Sequence, residues 1–139
     1  MSCNCAPYID AYGGTQTVPA NDLVEFDAVN IESCNAKLEN NALVIPNSGI
    51  YQISFNCNVV GDGNALSLEL QNNGITIPGA ISQPNFAAGT TGTVSISKLL
   101  HIRKSCQCIN NTARITVKNT GENPASLSNV NLTMVRDEE

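Results

Sequence analysis

Between residues 49 and 59, apolar and polar side chains alternate without a break. The apolar positions are Tyr51, Ile53, Phe55, Cys57 and Val59. Side chains of a β-strand point alternately to opposite faces, so these five residues share one face and the intervening Gln, Ser and Asn residues share the other. The pattern predicts an antiparallel strand whose five apolar residues enter a core while its polar face meets water.

The same alternation recurs in shorter segments with no helical pattern between them. The strongest are residues 43–45, 66–70, 75–77, 94–102, 113–117 and 130–134. Turn signals separate these segments, for example Asn73-Gly74, which is typical of a two-residue hairpin turn. The succession predicts an all-β fold, a jelly-roll β-sandwich of eight to ten antiparallel strands.

The first 21 residues lack this alternation and contain Cys, Pro and Gly at irregular positions. We expect residues 1–21 to form a flexible, cysteine-bearing N-terminal arm, and residues 22–139 to form the jelly-roll domain. The segment of residues 80–92 is expected to be a loop, because it contains Pro84, Gly89 and Gly92.

Composition limits both the core and the partners. Hydrophobic residues make up 42% of the 139 residues but aromatic residues only 4%, so the core is expected to be mainly aliphatic. The net charge of −5 argues against a nucleic-acid partner, which would need clustered Lys and Arg. No apolar run is long enough to span a membrane, and the first residues lack the basic and apolar regions of a Sec signal peptide.

No arrangement of residues typical of catalysis is found. His101 is the only histidine, and an isolated histidine is the simplest interpretation. Asp62 is a single carboxylate in a Gly-rich turn, too little to specify a calcium site. Other acidic residues are expected on solvated outer faces: Glu25, Asp27, Glu32 and Glu69. We therefore predict that the protein is not an enzyme and has no catalytic residue, metal site or cofactor.

Two motifs carry a resemblance to a known family. Residues 48–54 read SGIYQIS, and residues 66–79 read LSLELQNNGITIPG. Over residues 22–136 the chain resembles the C-terminal head of bacterial collagen-like spore-surface (exosporium) glycoproteins, which belong to the complement component 1q and tumour necrosis factor-like superfamily. The shared features are a Gly-x-Tyr strand, an alternating strand, an Asn-Gly turn and a segment ending in Pro-Gly.

The resemblance implies a ten-stranded jelly roll that assembles as a homotrimer and acts as a structural or adhesive head. Two features depart from the family: the chain has no Gly-x-y collagen stalk, and it has a short arm with two cysteines instead. We expect the apolar strand faces to pack partly across a threefold axis, because association enlarges a small aliphatic core.

The six cysteines fall into different classes. Cys57 is expected to be a buried free thiol that acts as a small hydrophobe, while the role of Cys34 stays open. Two Cys-x-Cys pairs remain: Cys3 with Cys5, and Cys106 with Cys108. Free thiols, a zinc site and intersubunit disulfides are all compatible with them. Our hypothesis is that Cys3 or Cys5 on the arm of one subunit forms a disulfide with Cys106 or Cys108 of a neighbour. Lys104 would lower the thiol pKa of Cys106 and speed the exchange.

The sequence thus predicts a self-assembling structural subunit of a bacterial spore surface layer or appendage. Such a protein would be made in the mother cell and would reach the surface without Sec export. The alternatives are a carbohydrate- or protein-binding adhesive module, and a phage or particle surface protein. For glycan binding, the candidate aromatic residues are Tyr8, Tyr12 and Phe86.

Overall fold

The computed structural model describes residues 6–33, 35–103 and 112–138, which form eleven β-strands and no helix. The strands are β1 (Tyr8–Gly13), β2 (Gln16–Val18), β3 (Ala28–Ser33), β4 (Lys37–Glu39), β5 (Ala42–Ile45), β6 (Gly49–Val60), β7 (Leu68–Asn72), β8 (Ile75–Ser82), β9 (Thr91–Ile102), β10 (Ala113–Asn119) and β11 (Ala125–Glu138). β2 and β4 are only three residues long.

The strands form two antiparallel sheets. The six-stranded sheet has the order β3-β1-β11-β6-β9, with β2 pairing to β11, and the five-stranded sheet has the order β4-β5-β10-β7-β8. The apolar sides of both sheets face each other and enclose one core of aliphatic residues. The predicted all-β jelly-roll sandwich is confirmed, although the described residues form eleven strands where eight to ten are predicted.

Strand β6 is central to the six-stranded sheet, because it pairs with β11 on one side and β9 on the other. Its residues Tyr51, Ile53 and Phe55 are completely buried. The ring of Phe55 meets that of Phe26 edge to face, with 6.5 Å between the ring centroids. The alternation that the sequence shows therefore divides this strand between the core and the outer surface.

The N-terminal segment differs from the irregular arm that the sequence predicts. β1 pairs with both β11 and β3, and β2 pairs with β11. Ile9, Ala11 and Val18 are buried in the core. The prediction of an arm is wrong for residues 8–13 and 16–18. The inward residues Ile9 and Ala11 are flanked by Tyr8 and Tyr12, which point outward. Because tyrosine counts as apolar, these two outward residues hide the alternation of apolar and polar positions.

The hairpin between β7 and β8 turns at Asn73 and Gly74, whose φ angles of 53° and 80° are both left-handed. Such angles suit Asn and Gly and match the twist of the flanking strands. The loop predicted for residues 80–92 is shorter, since β8 extends to Ser82 and β9 begins at Thr91. Within this loop Phe86 packs against the core, and its ring occupies the space that a side chain at Gly92 would need.

Replacing Phe55 by Ala should lower the free energy of unfolding by about 3 to 5 kcal/mol, because it leaves a cavity between the sheets. Thr116→Ala on the outer side of β10 is the control, and its effect should be less than about 1 kcal/mol. Urea unfolding of both variants measures the difference. Equal effects would mean that the core is not closed around Phe55.

Cys57 is buried, and burial raises the pKa of its thiol from 9.0 to about 12. The folded protein then holds this proton more tightly than the unfolded chain does. The stabilising contribution is complete below pH 9 and is lost as the pH rises toward 12.

In a variant with the other five cysteines replaced by serine, we expect stability to fall by about 1 kcal/mol between about pH 8 and pH 10. Cys57→Ala in the same background should remove that part of the pH dependence. Reaction of Cys57 with a thiol reagent at about pH 8 should require unfolding. Immediate labelling of the native protein would contradict the buried position.

Candidate self-association surface

The side chains that point away from the core on β1, β11, β6 and β9 form what we call the outer face of the six-stranded sheet. Strand register arranges them in rows. One row contains Tyr12, Asn131, Asn56 and Ser95. The next contains Asp10, Thr133, Ser54 and Ser97, and a third contains Tyr8, Val135, Gln52 and Leu99. The outer face is therefore a continuous surface across four strands.

Hydrogen bonds between neighbouring strands order the centre of this face. Ser95 Oγ donates to Asn56 Oδ1 at 2.8 Å, and the hydroxyls of Ser54 and Ser97 lie 3.4 Å apart. Nearer β1, Asn131 Nδ2 donates to Asp10 Oδ1 at 2.5 Å. Short side chains held in this way lose little conformational freedom when a partner covers them.

The outer sides of the two sheets differ in their content of charged residues. The outward positions of β6 and β9 hold no Asp, Glu, Lys or Arg. The outer side of the five-stranded sheet instead carries an ion-pair network, in which Glu39 lies 3.2 Å from Lys37 and 3.1 Å from Arg114. Hydrogen bonds from these two cations lower the pKa of Glu39. Depletion of charge is typical of the centre of a protein interface, so the six-stranded sheet is the better candidate.

Exposed apolar residues lie toward both sides of the outer face. Tyr8, Ile31 and Val135 are 38%, 54% and 45% exposed and line a shallow apolar groove of about 180 Å³. Across the sheet, Leu99 on β9 is 60% exposed.

This surface is not the one that the sequence predicts. We expected the apolar strand faces to pack partly across a threefold axis, but Tyr51, Ile53, Phe55, Cys57 and Val59 are buried within one chain. That expectation is wrong because the second sheet of the same chain covers these residues. The sequence feature that could have indicated the outer face is its composition, because Ser, Thr, Asn and Gln occupy most of its outward positions where charged residues are usual.

Other residues singled out from the sequence lie apart from one another. Glu25, Asp27 and Glu32 are exposed as expected, and so is His101 at the end of β9. Glu69 is not on a solvated face: it is only 7% exposed and accepts hydrogen bonds from Gln71 Nε2 at 2.6 Å and Thr76 Oγ1 at 2.8 Å. Its burial reflects the central position of β7 between β10 and β8.

The proposed disulfide residues lie outside the described residues. They are Cys3, Cys5, Cys106 and Cys108; Cys34, whose role the sequence leaves open, and Lys104 also lie outside the described residues. The described strands that precede or follow them in the sequence have their adjoining ends at one end of the sandwich, since Tyr8 pairs with Ser33, Gly49 with Ile102, and Ala113 with Ile45. We call this the β1-start end.

In the part of the chain that the structure describes, no group of three or more His, Cys, Asp or Glu residues is placed to hold a metal ion. Nor do the described residues contain a helix with the length and apolar character needed to cross a bilayer.

Neither a family model nor a curated protein matches the sequence. Several solved structures match the fold. The globular domain of zebrafish complement 1qA superposes with a TM-score of 0.67 and 12% identity, covering 93% of this chain and 94% of that one. Murine APRIL gives a TM-score of 0.69 and 11% identity, covering 95% and 99%. Eiger TNF from S. frugiperda gives 0.62 and 13%, covering 94% and 92%. The chain therefore has the same fold as these complement component 1q and tumour necrosis factor proteins.

Proposed function

We propose that the protein is a non-catalytic structural subunit that assembles as a homotrimer through the outer face of its six-stranded sheet. The observation that carries this proposal is the contrast between the uncharged outer positions of β6 and β9 and the charged outer side of the five-stranded sheet. The number three follows from the family resemblance in the sequence.

The apolar residues support association in a closed ring. In a cyclic assembly, one side of a subunit meets a different side of the next. The groove of Tyr8, Ile31 and Val135 then has a partner in the exposed Leu99 of a neighbour. Burying these residues at the interface stabilises the assembly by about 25 cal/mol for each Å² of apolar area removed from water.

We further propose that this subunit belongs to a surface layer or appendage of a bacterial spore and is cross-linked there by disulfides. The resemblance to spore-surface glycoprotein heads supports the location. The cross-link is supported by the described residues that flank five of the cysteines, since these lie at the β1-start end. Linkages from one end would leave the other end of each subunit exposed.

Ser54→Glu should convert the trimer into monomers. The change places three carboxylates where the subunits meet, and burying such charges without partners costs several kcal/mol, roughly. Thr116→Glu is the matched control, because it adds the same charge to a half-buried position on the other sheet. Size-exclusion chromatography with light scattering reports the mass of each. A trimeric Ser54→Glu protein with an unchanged fold would exclude this face as the interface.

Protein extracted from purified spores should run as multimers on a denaturing gel without reductant and as a monomer with it. Serine at Cys3 and Cys5 should abolish the multimers, whereas Cys57→Ser should not, because Cys57 is buried. A gel with monomer alone would refute the cross-link without affecting the trimer. Absence from spores would refute the location.

A further inference from the structure

A polar cleft lies at the end of the sandwich opposite the β1-start end. It has a volume of about 640 Å³ and is formed by three connections: β6 to β7, β8 to β9, and β10 to β11. Its polar lining residues are Asn64, Ser67, Gln83, Thr120, Glu122 and Asn123. Binding clefts for small ligands generally fall in this range of volume.

Hydrogen bonds fix the walls of the cleft to one another. The hydroxyls of Ser67 and Thr120 lie 2.7 Å apart, and Thr120 N donates to Ser67 O at 2.9 Å. Gln83 Nε2 donates to Ser67 Oγ at 3.3 Å. All three connections are thus joined at Ser67, so hydrogen bonds within the chain hold the walls of the cleft together.

A buried asparagine supports the β10–β11 wall from below. Asn119 is completely buried, and its Nδ2 donates to Val18 O and Asn123 O, both at 3.0 Å. Its Oδ1 accepts from Gly121 N at 2.9 Å. These bonds hold residues 121–123 in position, so this segment loses little conformational entropy when a ligand binds.

The lining identifies the class of ligand. It combines amide and hydroxyl groups, which both donate and accept hydrogen bonds, with a single carboxylate, Glu122. The lining contains no Lys or Arg, and the chain carries a net charge of −5, so an anionic ligand is disfavoured. Ala65 and Leu66 add a small apolar area. Mixed donors and acceptors beside an apolar area are suited to the hydroxyls and C–H groups of a neutral sugar.

We propose that this cleft binds a neutral saccharide unit. Glu122 accepts hydrogen bonds from sugar hydroxyls, and the amides of Gln83 and Asn123 donate to and accept from them. The site does not depend on the oligomeric state, since one chain supplies every lining residue.

The test is an NMR titration of the folded protein with the methyl glycosides of glucose, galactose, mannose and N-acetylglucosamine. We expect at least one of them to cause saturable shifts at about 1 to 10 mM, confined to the amides of residues 64–67, 83 and 120–123. Gln83→Ala and Glu122→Gln should each weaken that binding at least about fivefold. Gln52→Ala, on the outer face of the six-stranded sheet, should leave it unchanged.

The proposal is overturned if no glycoside shifts these amides at about 50 mM, or if the shifts survive both cleft variants. It is also overturned if glucose 6-phosphate binds more tightly than glucose, since the cleft would then select an anion. Circular dichroism of each variant verifies that the fold is retained. None of these outcomes depends on whether the protein is a trimer.

Discussion

The rest of the structure depends on strand β6, whose side chains alternate between the core and the outer face of the six-stranded sheet. Its inward residues join both sheets through the core, and its outward residues form the middle of a surface that the described residues leave uncovered. A strand can serve two neighbours at once only because its side chains alternate strictly. A shift of register by one residue would exchange Phe55 for Asn56 and destroy both surfaces together.

The two ends of the sandwich have different properties. At the β1-start end, the described strands flank the segments that contain five of the six cysteines. At the other end, the three connections tied together at Ser67 form a preorganised polar cleft. Attachment at one end and recognition at the other would suit a subunit of a surface layer. The proposed association through the sheet face between them would leave both ends accessible.

Much of the fold could be predicted because the burial that drives it follows a local, periodic pattern of side chains. The β6 alternation and the Asn73-Gly74 turn determine core residues and a hairpin without knowledge of the rest of the chain. β1 was missed because its outward residues include two tyrosines and its inward residues include small Ala11. The burial of Glu69 was missed as well, since its neighbours on β8 and β10 become close only in the folded sheet.

The candidate surfaces were less accessible to sequence reasoning. The outer face of the six-stranded sheet is recognised by the lack of Asp, Glu, Lys and Arg at the outward positions of β6 and β9, and these positions can be identified only from the strand register. The cleft joins residues as far apart as Asn64 and Asn123. The apolar periodicity correctly found the interior, but the same periodicity led to the mistaken expectation that the interior would be shared between subunits.

The native mass of the purified wild-type protein in reducing buffer tests the central claim most directly. With disulfides removed, only the surfaces of the folded chain can hold copies together. Association through the outer face predicts a species of three times the 14.7 kDa chain mass that persists on dilution into the low micromolar range. A single 14.7 kDa species at all concentrations would contradict it.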